Sequence, residues 1–194
     1  MSQSVSSRPP HSPDPTYSCE EAYLRLETNR LVEFADGRVE VLPMPKTSHQ
    51  KIVQFLSNLL LAHVTARSLG TVLFAPLRMR LKTGKFREPD VLFLLAEHSD
   101  RAGEDFWEGA DLVMEIVSPD DPDRDWVTKR GEYADDGIPE YWIVDPRTER
   151  ITVFKLDAGK YTVQGEYGSG QRAASVLLPG FTAEAAAVFA AGKT

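Results

Sequence analysis

A single cysteine, Cys19, stands in a chain of 194 residues, so no intramolecular disulfide can form. A fold without cross-links suits a reducing compartment, and a cytoplasmic setting is expected. No apolar run approaches the roughly 20 residues that cross a bilayer, so no transmembrane helix and no membrane partner are expected. The first residues contain no apolar stretch of the kind found in a secretory signal. Bases are also in short supply, with 22 Lys and Arg against 29 Asp and Glu and a net charge of −7. That balance offers no basic footprint for sequence-independent nucleic-acid binding, and such contact would have to come from a local patch.

What is present suits one soluble globular domain, with 42% hydrophobic and 26% charged residues. Residues 1–16 are rich in Ser and Pro and have almost nothing to bury, so they read as a disordered leader or an expression remnant. The domain is expected over 17–191. It opens with a short amphipathic helix from Tyr17 to Leu26, with Ser18 as N-cap. Two short strands, Arg30–Ala35 and Arg38–Leu42, flank Asp36-Gly37, the strongest short hairpin signal. Period-two alternation turns Glu33 away from Val32 and Phe34, and it reads as a solvated hairpin acid. The longest helix begins at Thr47, where Thr47 and Gln50 form a capping-box pattern, and Gly70 supplies its stop. His49 lies in its first turn and becomes chemically relevant only if that turn faces the acids discussed below.

The strand expected at Leu77–Leu81 alternates Leu77, Met79 and Leu81 with Arg78 and Arg80, which gives it one buried and one basic face. Glu88-Pro89-Asp90 leads into the apolar strand Val91–Leu95, and residues 97–108 read as a loop anchored by Phe106 and Trp107. Asp111-Leu-Val-Met-Glu-Ile-Val-Ser-Pro119 is a short apolar run closed by Ser-Pro, a buried central strand with Glu115 in its middle. A carboxylate placed there loses hydration and stays ionised only if a metal, a cation or hydrogen-bond donors compensate it. An acidic loop follows, then a helix over Asp125–Asp136 that sets Asp125, Lys129 and Tyr133 on one face, with Gly137 at its C-terminus. Tyr141–Val144 is a further buried strand, and Arg150–Phe154 with Lys160–Val163 form a second hairpin. Leu177–Phe181 ends the sheet region, and Ala183–Ala191 is a closing helix. The order of elements is that of one mixed α/β domain.

Taken together and in order, Glu88-Pro-Asp-Val91, Glu115-Ile-Val-Ser-Pro119, Asp125-x3-Lys129-x3-Tyr133, Gly137-Ile-Pro-Glu-Tyr-Trp-Ile-Val-Asp-Pro146 and Leu178-Pro-Gly180 resemble the Uma family of restriction-endonuclease-like proteins, within the PD-(D/E)XK nuclease superfamily. The resemblance runs from about Glu33 to Phe181. It implies a restriction-endonuclease-like core, a mixed central sheet flanked by helices with an added N-terminal hairpin. It also implies DNA as substrate, and it leaves room for a homodimer. Pro89-Asp90 matches the PD motif and Glu115 the acid of E-x-K. The lysine position after Ile116 is Val117, a departure that matches members whose lysine comes from the next helix, here Lys129. The early-helix acid has no counterpart, and His49 is the nearest polar candidate.

Phosphodiester hydrolysis needs hydroxide at neutral pH and neutralisation of the charge that develops on phosphorus, and a hard divalent cation supplies both. Mg²⁺ or Mn²⁺ would take Asp90, Glu115 and the backbone carbonyl of Ile116, with His49 as a further candidate. Lys129 would orient the attacking water or stabilise developing charge. The plain readings stay open for each residue: a solvated strand-entry Asp90, a core Glu115 paired to Lys129, Arg78 or Arg80, and a surface Asp125–Lys129 pair worth a few tenths of a kcal/mol. Three functions follow: a Mg²⁺-dependent DNA endonuclease, a non-catalytic nucleic-acid-binding or assembly module that keeps the fold, and a hydrolase of some other phosphoester.

Overall fold

The structure is a computed structural model and describes residues 19–193. The leader at 1–16, and the expected helix start at Tyr17 and Ser18, lie outside the described residues. The first helix, α1 (Cys19–Leu24), is followed by the hairpin β1 (Val32–Ala35) and β2 (Arg38–Val41). Asp36 and Gly37 both take positive φ, 51° and 75°, which a two-residue primed turn requires.

The long helix α2 (Thr47–Thr65) buries Ile52, Val53, Leu56, Leu60 and Val64 along one stripe. Its N-cap is Lys46, which makes no side-chain cap bond, so the expected Thr47–Gln50 capping box does not form. The helix also stops at Thr65 instead of running to Gly70. Gly70 opens β3 (Gly70–Phe74), and the reason for glycine is a close approach: a Cβ there would lie 2.0 Å from the carbonyl oxygen of Leu94. Gly70→Ala is therefore expected to cost roughly 1–3 kcal/mol through forced backbone shifts. Thermal unfolding checks this, and an unchanged Tm would show that β3 slides freely on its neighbour.

Three very short or buried strands come next, β4 (Met79–Arg80), β5 (Phe86–Arg87) and β6 (Val91–Leu95). The stretch expected as a loop over 97–108 instead contains a 3₁₀ turn, Ala96–Arg101, and the two-residue β7 (Trp107–Glu108). Trp107 is buried, and Phe106 meets Phe86 edge-on, as anchors should. The central strand β8 (Leu112–Ile116) leads to a π-helical turn, Arg124–Lys129, that continues into α3 (Arg130–Asp136). Gly137, at φ 89°, closes α3 in the left-handed conformation. β9 (Glu140–Asp145), the hairpin β10 (Arg150–Asp157) and β11 (Lys160–Tyr167), the pair β12 (Arg172–Ala174) and β13 (Thr182–Glu184), and α4 (Ala185–Lys193) complete the chain.

The main sheet has the order β11-β10-β9-β8-β6-β3, with β8 and β9 parallel and the other neighbours antiparallel. The N-terminal hairpin does not extend it. It seeds a second sheet, β2-β1-β5-β4-β7, whose last three strands are only two residues long. β8 is buried on both faces: Leu112, Met114 and Ile116 join the core under α2 and α4, while Val113 and Val117 join the core that holds Tyr133 and Tyr141. Trp142 is fully buried and Trp126 packs edge-on against Phe154. No helix among the described residues is long and apolar enough to cross a membrane.

Candidate functional site

Antiparallel pairing of β6 with β8 sets Val91 opposite Met114, which brings Asp90 alongside Glu115 and Ile116 where these two interior strands end. There Asp90 Oδ2 accepts the Ile116 backbone N–H at 2.8 Å. The first turn of α2 points at the same place. His49 Nε2 lies 3.2 Å from Asp90 Oδ2 and 3.1 Å from the Ile116 carbonyl oxygen. Burial alone would lower the His49 pKa, but Asp90 beside the ring more than offsets it, and the pKa is raised.

Glu115 faces the other way, on the side of Val113 and Val117, because successive residues of a strand alternate. Its Oε1 accepts Lys129 Nζ at 2.9 Å and the Tyr133 hydroxyl at 2.7 Å. The π turn draws both Asp125 and Lys129 inward, so the pair is buried and is not the surface pair that i, i+4 spacing allows. Wider turns of this kind recur at functional sites. Lys129, with its side chain 6% exposed, has three acids around its ammonium: Glu115 at 2.9 Å, Glu33 at 3.6 Å and Asp125 at 3.6 Å. Arg78 and Arg80 do not reach Glu115; Arg78 sits over the Tyr23 ring and Arg80 pairs with Glu20.

Glu33 corrects the reading of a solvated hairpin acid. It is fully buried, because Arg87 of the neighbouring strand β5 and the turn that carries Arg124 and Lys129 cover the face that alternation assigns to water. Arg87 Nη1 donates to Glu33 Oε2 at 2.8 Å, Arg124 Nη2 donates to the same oxygen, and the Glu88 backbone N–H donates to Oε1 at 3.1 Å. Burial would raise the Glu33 pKa, but Lys129, Arg124 and Arg87 win and hold it near 2. The other acids shift in the opposite direction. Burial pushes Glu115 up to about 8 against the pull of Lys129, with Asp90 and Asp125 adding to the rise. Burial likewise raises Asp125 to about 6, and burial with the charge of Glu33 raises Glu88 to about 7. For Lys129 burial acts downward, yet Glu115, Glu33 and Asp125 prevail and the pKa is raised. One ammonium faces more carboxyls than it can balance, so the pKa values of Glu115 and Asp125 rise, while Glu33, which also meets Arg87 and Arg124, stays ionised.

These groups open on a cavity of about 660 Å³ whose wall includes His49, Glu88, Asp90, Glu115, Arg124 and Lys129. Asp120 and Asp121 sit exposed on its lip. Residues 20–188 match the family described as "Uma2: Putative restriction endonuclease". The chain belongs to this family. No curated protein matches it. Among solved structures, this Uma2 chain is similar to a 1.96 Å crystal structure described as a putative nuclease belonging to DUF820 from Anabaena variabilis. The TM-score is 0.73 at 16% identity, over 89% of this chain and 98% of that one, which establishes the common fold.

The donor set available to a metal is hard: the Asp90 carboxylate, the Ile116 carbonyl and, nearby, Glu115. The two separations from His49 Nε2, 3.1 and 3.2 Å, lie near the edge of an octahedron. With metal–oxygen bonds of about 2.1 Å that edge is about 3.0 Å. The same spacing also serves an Nε2–H hydrogen bond. Among the described residues no three His, Cys, Asp or Glu side chains group closely enough to hold an ion by themselves, since Glu115 is turned toward Lys129. The set therefore fits Mg²⁺, which uses one or two carboxylates and keeps several waters. Glu33, Tyr133 and Arg124 carry no local sequence signal for the site. Only the four-residue spacing from Lys129 to Tyr133 points to the tyrosine.

Proposed function

We propose that this Uma2 chain is a Mg²⁺- or Mn²⁺-dependent DNA endonuclease that hydrolyses phosphodiester bonds. The observation that carries the reading is the meeting of Asp90 Oδ2, the Ile116 carbonyl oxygen and His49 Nε2 within 3.2 Å at the wall of the cavity that Glu115 and Lys129 also line. The family match and the fold common to a protein described as a nuclease support it. When bound, a divalent ion supplies hydroxide near neutral pH and offsets charge on the phosphoryl oxygens.

Asp90, Glu115 and the Ile116 carbonyl would hold the ion, with His49 Nε2 as a fourth donor when its proton sits on Nδ1. The Ile116 N–H fixes the Asp90 carboxylate, and Tyr133 fixes Glu115. Lys129 stays protonated and places positive charge beside Glu115, where it orients water or steadies developing negative charge. One domain over 17–191, a cytoplasmic setting and a homodimer remain part of this proposal.

The test is cleavage of supercoiled plasmid by the wild type and by Asp90→Asn, with Mg²⁺, with Mn²⁺ and with chelator. We expect cleavage only with metal, and a drop of at least about 100-fold in the variant, the scale seen when a single preorganised charge-stabilising group is lost. Equal cleavage by Asp90→Asn, or cleavage that survives the chelator, would overturn the reading. The specific observation favouring a non-catalytic module is the closed Glu115–Lys129–Tyr133 contact in a chain of net charge −7. DNA binding without cleavage under every metal condition would select it.

A further inference from the structure

We propose that Arg124 binds the phosphate group of the substrate within the cavity through its Nε–H, an anion contact that rests on the phosphodiester reading above. The cations of the cavity differ in how far their protons are already taken. An ammonium has three protons. Lys129 has three acids within 3.6 Å to receive them, so a phosphate could bind it only by displacing one. At the rim, Arg147 is tied to Asp145 at 2.7 Å and Lys193 is paired with Glu149, while Lys46 is exposed, so that water and salt screen its charge.

Arg124 stands on the same π turn as Lys129, but nearer the mouth, with its side chain 23% exposed and on the cavity wall. Its two acidic partners, Glu33 Oε2 and Glu40 Oε2, are both met by Nη2, the second at 2.8 Å. Those two contacts, to acids of neighbouring strands in the hairpin, fix the plane of the guanidinium. Nε is buried and has no hydrogen-bond partner among the described residues. A buried donor without an acceptor is destabilising, and a ligand oxygen removes that cost. The flat, rigid fork of donors on a guanidinium matches a phosphate better than a point charge does. Two other buried atoms of the cavity also lack partners, Glu88 Oε2 and His49 Nδ1. A carboxylate oxygen repels an anion, and the His49 ring is turned through Nε2 to Asp90 Oδ2 and the Ile116 carbonyl, the oxygens placed to hold the metal. The unpartnered guanidinium donor is the one that suits a phosphate.

The variant that isolates this contact is Arg124→Lys. It keeps a positive charge for Glu33 and Glu40 and removes the Nε–H. Calorimetric titration with inorganic phosphate, with Mg²⁺ present, should show binding to the wild type and at least about tenfold weaker binding to Arg124→Lys. Plasmid cleavage should show KM raised by a similar factor, with Tm changed by only a few degrees. If Arg124 acts only as the counter-ion of Glu33, lysine restores both phosphate binding and KM, and the proposal falls. It falls too if the wild type binds no phosphate.

Should Arg124→Lys not fold, the wild type still decides, because the Arg124 Nε–H resonance must shift on addition of phosphate and an unmoved resonance overturns the assignment. The two readings can fail separately. Loss of phosphate binding in Arg124→Lys, with no cleavage by the wild type, keeps the anion contact and removes the nuclease. Cleavage by a wild type whose lysine variant binds phosphate equally well does the reverse.

Discussion

Lys129→Met is expected to cost about 3–5 kcal/mol of stability near neutral pH, the cost of leaving buried charge without its partner. The reason is that one ammonium serves Glu115, Glu33 and Asp125 at once, all of them buried. Each acid deprived of that cation rises in pKa. A carboxyl whose folded pKa stands above its unfolded value loses stability as pH climbs from the unfolded pKa to the folded one. In the wild type Glu115 is already near 8 and Asp125 near 6, so the deficit of the variant should be greatest above pH 8 and smallest near pH 5. Glu33 has the opposite sign in the wild type. Held near 2, it contributes stability above about pH 4.5, lost as pH falls toward 2, and that contribution shrinks when Lys129 is removed. Urea unfolding of both proteins across pH 5–9 measures the difference. A variant as stable as the wild type at pH 8 would mean that the acids do not need this lysine and that the cluster is looser than its contacts imply.

Glu115→Gln should reduce metal-dependent cleavage by at least about 100-fold while leaving the fold intact or more stable. Glutamine keeps the shape of the side chain, and its carbonyl oxygen can still accept from Lys129 and Tyr133, which now meet Glu115 at 2.9 and 2.7 Å. What it removes is a charge in excess, since Asp90 and Asp125 both push the Glu115 pKa upward beyond what burial does. The sign is set by that raised pKa. Below about pH 4.5 Glu115 is protonated in folded and unfolded chains alike, and the substitution should be close to neutral. Between there and pH 8 the wild type loses stability through this group, so the advantage of the variant should grow with pH. Each kcal/mol gained appears as roughly 2–4 °C in Tm for a domain of this size. A large fall in Tm at pH 8, together with a wild type that gains no stability from Mg²⁺, would show that Glu115 holds the core together and would end the endonuclease proposal.

The two predictions rest on unequal kinds of knowledge about the same cluster. Asp90 and Glu115 are legible in the sequence because Asp90 stands at the entry of the apolar run Val91–Leu95 and Glu115 interrupts the apolar strand Leu112–Ile116, and an acid in such a place needs a partner. The period of α2 and the Asp36-Gly37 turn are local too, written within a few residues of where they act. Lys129 is legible only through its family spacing, and Tyr133 with it. Glu33 is misread because alternation assumes one wet face, and that face is dried by the turn Arg124–Lys129 and by Arg87 of a two-residue strand too short to show a period. The π turn at Arg124–Lys129 has no sequence signature, although it buries Asp125 and sets Arg124 against Glu33 and Glu40.

By itself, then, the sequence determined the mixed α/β class, the central strand and its acid, the family, and the first turn of α2 as a place to look. Tertiary structure decided that four carboxyls and two cations share one cluster, because Glu33, Asp90, Glu115 and the turn bearing Arg124, Asp125 and Lys129 are four separate segments. Their charges act through space, over distances of a few ångströms that separation along the chain does not encode.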